Sequence, residues 1–97
     1  MEYGIRGVHC EIGEQEKHLI EKKLHRLEFA EDDIVDLNFV ISKEKSGYKV
    51  EATVHFRWAH NFFMHADDFD VSQAIDKLFN KLEIRITKEK DKIKGHK

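Results

Sequence analysis

The segment Asp70–Lys94, DVSQAIDKLFNKLEIRITKEKDKIK, constrains the chain most, because one secondary structure reconciles its two overlapping patterns. Val71, Ile75, Leu78, Leu82, Ile86 and Ile93 recur at spacings of three, four and seven, the apolar stripe of a helix laid on a core. Lys77, Lys81, Arg85, Lys88 and Lys92 form a second line, turned by about a right angle from the first. Asp70 is placed to cap the helix, with Gln73 as the return partner of a capping box. Basic last turns suit the negative pole, and Gly95 marks the end. The segment predicts a long helix docked along one side and carrying a cationic rail along another.

The rest of the chain supplies what that helix docks on. Tyr3–His9 alternates modestly and reads as a short strand. Gly13 followed by Glu14, Gln15 and Glu16 opens a first helix, whose apolar face (Leu19, Ile20, Leu24, Leu27) runs to about residue 29. Glu31-Asp32-Asp33 is an acidic connector. Val35, Leu37, Phe39 and Ile41 alternate with polar residues, and KEKSG then makes a turn in which Gly47 supplies positive φ. Tyr48 to Trp58 is the clearest period-two pattern in the chain. Ala59-His60-Asn61 reads as a turn, Phe62–Ala66 as a return strand, and Asp67-Asp68 as the approach to the last helix.

The order β-α-β-β-β-α predicts an α+β fold with a four-stranded mixed sheet. Strands one and two are parallel through a right-handed crossover, and the last three form an antiparallel meander. Both helices cover one apolar face, side by side, in the manner of double-stranded-RNA-binding domains. A chain of 97 residues is read as one domain, 1–94, with a short tail at 95–97. It has no run of eighteen apolar residues and no signal- or transit-peptide pattern, so a cytoplasmic location with no membrane partner is expected. The single cysteine, Cys10, has no partner for an internal disulfide or a zinc site.

Net charge is −2, yet residues 77–97 carry eight Lys/Arg against three acids, while the remainder carries nine against sixteen. That asymmetry is a local field, read either as a solvated helix end or as an anion-binding face. Lysine and arginine at helical spacing can follow a line of phosphates without reading bases. Lys23 and Arg26 of the first helix fall on the edge facing the second, so two helices are expected to share one cationic surface able to grip structured RNA by shape. Other chemistry is poorly supported. His55, His60 and His65 lack any metal-ligand spacing, and no phosphate loop, nucleophile elbow or triad order is present, so no metal, no cofactor and no enzymatic activity are expected. Trp58, Phe62 and Phe63 read as core or rim.

The segments AIDKLFNKL and TKEKDKIK within 74–94, with ISKEKSGYKVEATV at 41–54, resemble the ribosome hibernation factors. These are the short hibernation-promoting factor and protein Y, also called ribosome-associated inhibitor A or sigma-54 modulation protein. The resemblance covers nearly the whole chain, and the length is similar to the short type. It implies a translation inhibitor that binds ribosomal RNA in the decoding channel of the small subunit, excluding tRNA and mRNA under stress or in stationary phase. Carried over by position, Lys23 and Arg26 stand where the first helix is basic, and Lys81, Lys88, Lys90 and Lys92 where the last is. Lys43 is a further member. Ile84 stands where the family usually has arginine, with Arg85 beside it. The expected RNA-binding set is thus Lys23, Arg26, Lys77, Lys81, Arg85, Lys88, Lys90 and Lys92. Its partner is the small ribosomal subunit and its rRNA, not DNA, and the chain is expected to be a monomer off the ribosome. The competing reading is a protein-interaction regulator or chaperone module for which RNA is irrelevant.

Overall fold

Alternating side chains decide the sheet. In the computed structural model, which describes residues 1–57 and 61–94, β1 (Glu2–Val8), β2 (Ile34–Glu44), β3 (Gly47–Phe56) and β4 (Phe62–Asp68) lie side by side in that order. β1 runs parallel to β2, and β2, β3 and β4 form an antiparallel meander. Val50, Ala52, Val54 and Phe56 of β3 point to one face and are fully buried. Thr53 and His55 lie on the other, which no helix covers. The anticipated β-α-β-β-β-α order and mixed sheet are therefore present. Trp58, Ala59, His60, Gly95 and the side chain of Ile93 lie outside the described residues.

One departure in β2 has a clear cause. Ile34 pairs with Phe56 and Asp36 with His55, so β2 carries an extra residue there, a β-bulge. The bulge resets the alternation. Ile34 instead of Val35 turns into the core, followed by Leu37, Phe39 and Ile41. At the other end of the strand Gly47 closes the turn with φ of 140°. A Cβ there would stand 2.6 Å from the Asp68 carbonyl oxygen, so the position excludes any side chain.

The first helix, α1 (Glu14–Lys23), starts as its sequence indicates: the Gly13 N–H donates to the Glu16 carboxylate at 3.2 Å. It does not continue as an α-helix to residue 29. From Leu24 to Ala30 it tightens to a 3-10 helix, and the spacing Leu24, Leu27, Ala30 explains the change. Three residues per turn bring these side chains into one row; Leu27 and Ala30 are buried and Leu24 packs against the core.

The last helix, α2 (Val71–Lys94), is capped by Asp70, whose carboxylate accepts the Ser72 N–H at 3.1 Å. Gln73 makes no return bond among the described residues. Ile75, Leu78, Leu82 and Ile86 are fully buried as their spacing requires, joined by Ala74 and Phe79. Phe79 stacks on Phe39 of the sheet with ring centroids 5.6 Å apart. α2 lies over β3 and β4, while α1 lies toward β1, where the Tyr3 hydroxyl donates to Glu21. α2 therefore has two flanks, one bordered by β4 and the other by α1 and the 3-10 helix.

Candidate nucleic-acid interface

The flank of α2 beside β4 carries the lysines and arginine that are spaced along the helix. Lys77 pairs with Asp68 at 2.7 Å. The Asp68 carboxyl is held below its ordinary value first by that hydrogen bond and then by the Asp70 N–H. Lys81 donates to the main-chain carbonyl of His65 at 2.9 Å, capping the free edge of β4 with a charge. The Arg85 guanidinium lies 4.5 Å above the Phe62 ring and donates to Glu89 at 3.1 Å. Lys92 approaches Glu89 at 3.6 Å, and Glu89 itself is almost wholly buried. Lys88 is exposed and has no ion-pair partner among the described residues.

The opposite flank is a web of ion pairs between the two helices. Lys23 meets Asp76 at 2.7 Å. Arg26 straddles Glu83, with Nε donating at 3.0 Å and Nη2 at 2.9 Å, and Nη2 also reaches Asn80 at 2.6 Å. This fork-to-carboxylate geometry is the strong form of the pair. Its hydrogen bonds raise the Arg26 pKa and hold the Glu83 carboxyl below its ordinary value, as Lys23 does for Asp76. Lys90 donates to the Phe29 carbonyl at 2.7 Å and pairs with Asp33 at 3.2 Å, tying α2 to the end of the 3-10 helix.

The shared cationic surface expected from the sequence is therefore not what the two helices make. Lys23, Arg26 and Lys90 stand on the α1 flank, and Lys77, Lys81, Arg85, Lys88 and Lys92 on the β4 flank. The crest of α2 separates them. Six of the eight are paired with five of the chain's own carboxylates, Arg85 and Lys92 sharing Glu89, leaving Lys81 and Lys88 as the cations of the set without one among the described residues. Lys43 is exposed at the turn end of β2, the end where Lys77 meets Asp68.

The missed partners had a signal. Asp76 and Glu83 are seven residues apart and so share one face of α2, opposite Lys23 and Arg26, themselves one helical turn apart. The crest residue Ile84 is 60% exposed, and Phe69, just before α2, is 80% exposed. Neither is core.

The described histidines of the sheet and the cysteine lie elsewhere. His55 and His65 are not opposed across the sheet, since Asp36 faces His55 and Glu51 faces His65. Each lies near a carboxylate on the open face, Asp36 at 3.5 Å and Asp67 at 3.8 Å. No group of three or more His, Cys, Asp or Glu side chains is placed to hold a metal among the described residues. The Cys10 thiol is partly buried and donates to the Ile41 carbonyl at 3.4 Å. No helix among the described residues is long and apolar enough to cross a membrane.

Fold and flank together define a class, a small α+β domain with a cation-bearing helix laid over a four-stranded mixed sheet. The same fold is found in a ribosomal subunit interface protein from Coxiella burnetii, with a TM-score of 0.87 at 27% identity, over 94% of this chain and 99% of that one. It is also found in the N-terminal domain of Thermus thermophilus Protein Y, with a TM-score of 0.77 at 25% identity, over 87% and 92% of the two chains. Residues 3–94 match the family described as sigma 54 modulation protein / S30EA ribosomal protein, and the chain belongs to that family. Among relatives, the ribosome hibernation promoting factor of Escherichia coli is 33% identical over 96 residues, 99% of this chain and all of that one. That of Azotobacter vinelandii is 32% identical over 92 residues, 95% of this chain and 85% of that one.

Proposed function

We propose that this protein is a non-catalytic, cytoplasmic hibernation factor that acts by occupying the small ribosomal subunit. The observation that carries the reading is family membership across residues 3–94, with a relative of matching length named for ribosome hibernation. The geometry supports a binding role over a catalytic one, since among the described residues the side chains form a charged helix face and no reactive constellation. The finer reading is contact with rRNA in the decoding channel, where bound protein would exclude tRNA and mRNA. Lys81 and Lys88 are the residues best placed for phosphate, being exposed and unpaired with any carboxylate among the described residues. Lys77 and Lys92, also exposed, stand next to them in the line.

The count of free cations sets the expected strength. With two phosphates neutralised, the slope of log affinity against log salt is about −1.4 to −1.8, which weakens binding about tenfold between 50 and 200 mM. Co-sedimentation of the protein with purified small subunits across that range measures the slope. Lys81→Glu with Lys88→Glu is expected to abolish association while the chain stays folded, the melting temperature falling only by the loss of the exposed Lys81 bond to the His65 carbonyl. Association indifferent to both salt and these substitutions would sink the rRNA reading. A protein partner is the second reading, favoured by the exposed Phe63 and Phe69. It requires a complex that keeps its stoichiometry after thorough RNase digestion.

A further inference from the structure

Between β4 and α2 lies a shallow hollow of about 200 Å³, lined by Met64, Lys81, Ile84, Arg85 and Lys88. Its floor and its rim differ in chemistry. Met64 of β4 and the Ile84 side chain give an apolar floor, and Ile84 is left 60% exposed on a helix otherwise rich in charge. Arg85 forms a fixed wall, held between the Phe62 ring and Glu89. At the rim stand Lys81 and Lys88, the two cations of the line that pair with no carboxylate among the described residues. A second hollow, lined by Glu83, Ile84, Thr87 and Lys88, lies on the other side of Ile84. The isoleucine is thus a ridge between two depressions.

We propose that the hollow is a nucleotide subsite, which takes one unstacked nucleotide of an RNA. The base or ribose lies against Met64 and Ile84, and the flanking phosphates sit on Lys81 and Lys88. Charge complementarity selects the ligand: an apolar floor with two cations at its rim matches a nucleoside between phosphates, whereas an apolar peptide side chain would bring no counter-charge to either ammonium group. The inference rests on the RNA-binding reading above and sharpens it. Polyanion binding by a line of lysines needs no Ile84; a nucleotide subsite does, because part of its affinity comes from apolar area removed from water.

The test compares two probes of similar charge, a single-stranded RNA hexamer and inorganic polyphosphate. NMR is expected to show the Met64 and Ile84 methyl signals shifting with the hexamer but not with polyphosphate. Ile84→Ser is expected to weaken the hexamer about five- to tenfold with no change in salt slope or in polyphosphate affinity. Ile84→Ala gives a smaller loss in the same direction. Because the side chain is mostly exposed, both variants keep the wild-type melting temperature. Equal methyl shifts from both probes would overturn the proposal, as would hexamer affinity indifferent to Ile84. If Ile84→Ser weakens small-subunit association and spares the hexamer, the ridge meets a protein and the subsite is refuted. Absence of any small-subunit association by the wild-type chain would instead remove the hibernation reading, and the hexamer experiment would still decide the subsite.

Discussion

If the ion pairs between α1 and α2 silence Lys23 and Arg26, then removing their acids should weaken the fold and strengthen the grip on RNA together. The informative variant is Asp76→Asn with Glu83→Gln, which keeps side-chain size and deletes two negative charges. Asp76 and Glu83 have side chains 45% and 38% exposed, so water screens both pairs substantially. Their joint contribution to stability is about 1 kcal/mol, the fork at Glu83 being the larger part. For a domain of this size that corresponds to a melting temperature lower by about 4–8 °C. Both carboxyls are held below their ordinary 3.8 and 4.5. The stabilisation is therefore present above those values and is lost as pH falls through the lowered folded-state values. The wild-type melting temperature should drop over that acid window, and the variant should show a flatter profile there. Freed of its partner, Arg26 already reaches Asn80 on the crest of α2, within range of RNA laid along that helix. Two added phosphate contacts take the salt slope to about −2.8 to −3.6 and the loss between 50 and 200 mM to nearly a hundredfold. Calorimetry against pH and sedimentation with small subunits against salt read the two effects separately. A lower melting temperature with an unchanged salt slope would refute the argument, because it would make the α1 flank a structural clasp with no access to RNA.

Four further substitutions follow, two that separate binding from stability and two that probe the packing. Lys88→Ala should weaken small-subunit association with no effect on melting, whereas Lys90→Ala, which breaks the tie to Phe29 and Asp33, should lower the melting temperature and spare association. Gly47→Ala should cost about 1–3 kcal/mol in chemical denaturation, since φ is 140° and the Asp68 carbonyl leaves no room for a Cβ. Phe79→Ala should cost about 3–5 kcal/mol by the same assay, because it opens a cavity over the Phe39 ring; a loss under 1 kcal/mol would show that the α2–sheet packing is looser than the stacked rings indicate.

The elements of the fold were legible because periodicity is a local property. Alternation in β3 and the three-four spacing in α2 each follow from how a single element presents side chains to one core. What failed were features set by a second element. The β2 bulge depends on register with β3, and it moved Ile34 into the core at the expense of Val35. Phe79 is a different case: it lies four residues after Ile75 and three before Leu82, so helical spacing alone already puts it on the buried stripe, where it meets Phe39. The 3-10 segment is intermediate. Its Leu24, Leu27, Ala30 spacing was visible, but spacings of three also occur within α-helical stripes. In the candidate interface, the positions of the cations followed from helix geometry. Their ion pairs did not, because Lys23 and Arg26 meet acids more than fifty residues away.

A cationic line in a sequence measures potential, and the fold decides how much of it reaches solvent. Here the first helix presses two cations against Asp76 and Glu83, while Asp68 and Glu89 engage Lys77, Arg85 and Lys92. The same lysine-rich helix therefore serves two ends. Along the α1 flank its charges fasten one helix to the other, where exchange with phosphate would have to break a bidentate pair. Along the β4 flank Lys81 and Lys88 can meet phosphate without breaking any carboxylate contact, and Ile84 adds apolar area that salt does not screen. Binding built this way should depend less steeply on ionic strength than that of a helix with all its cations free. The measured slope thus discriminates between two surfaces that the sequence alone makes look the same: eight free charges shared by two helices, and a short cationic rim around an apolar ridge.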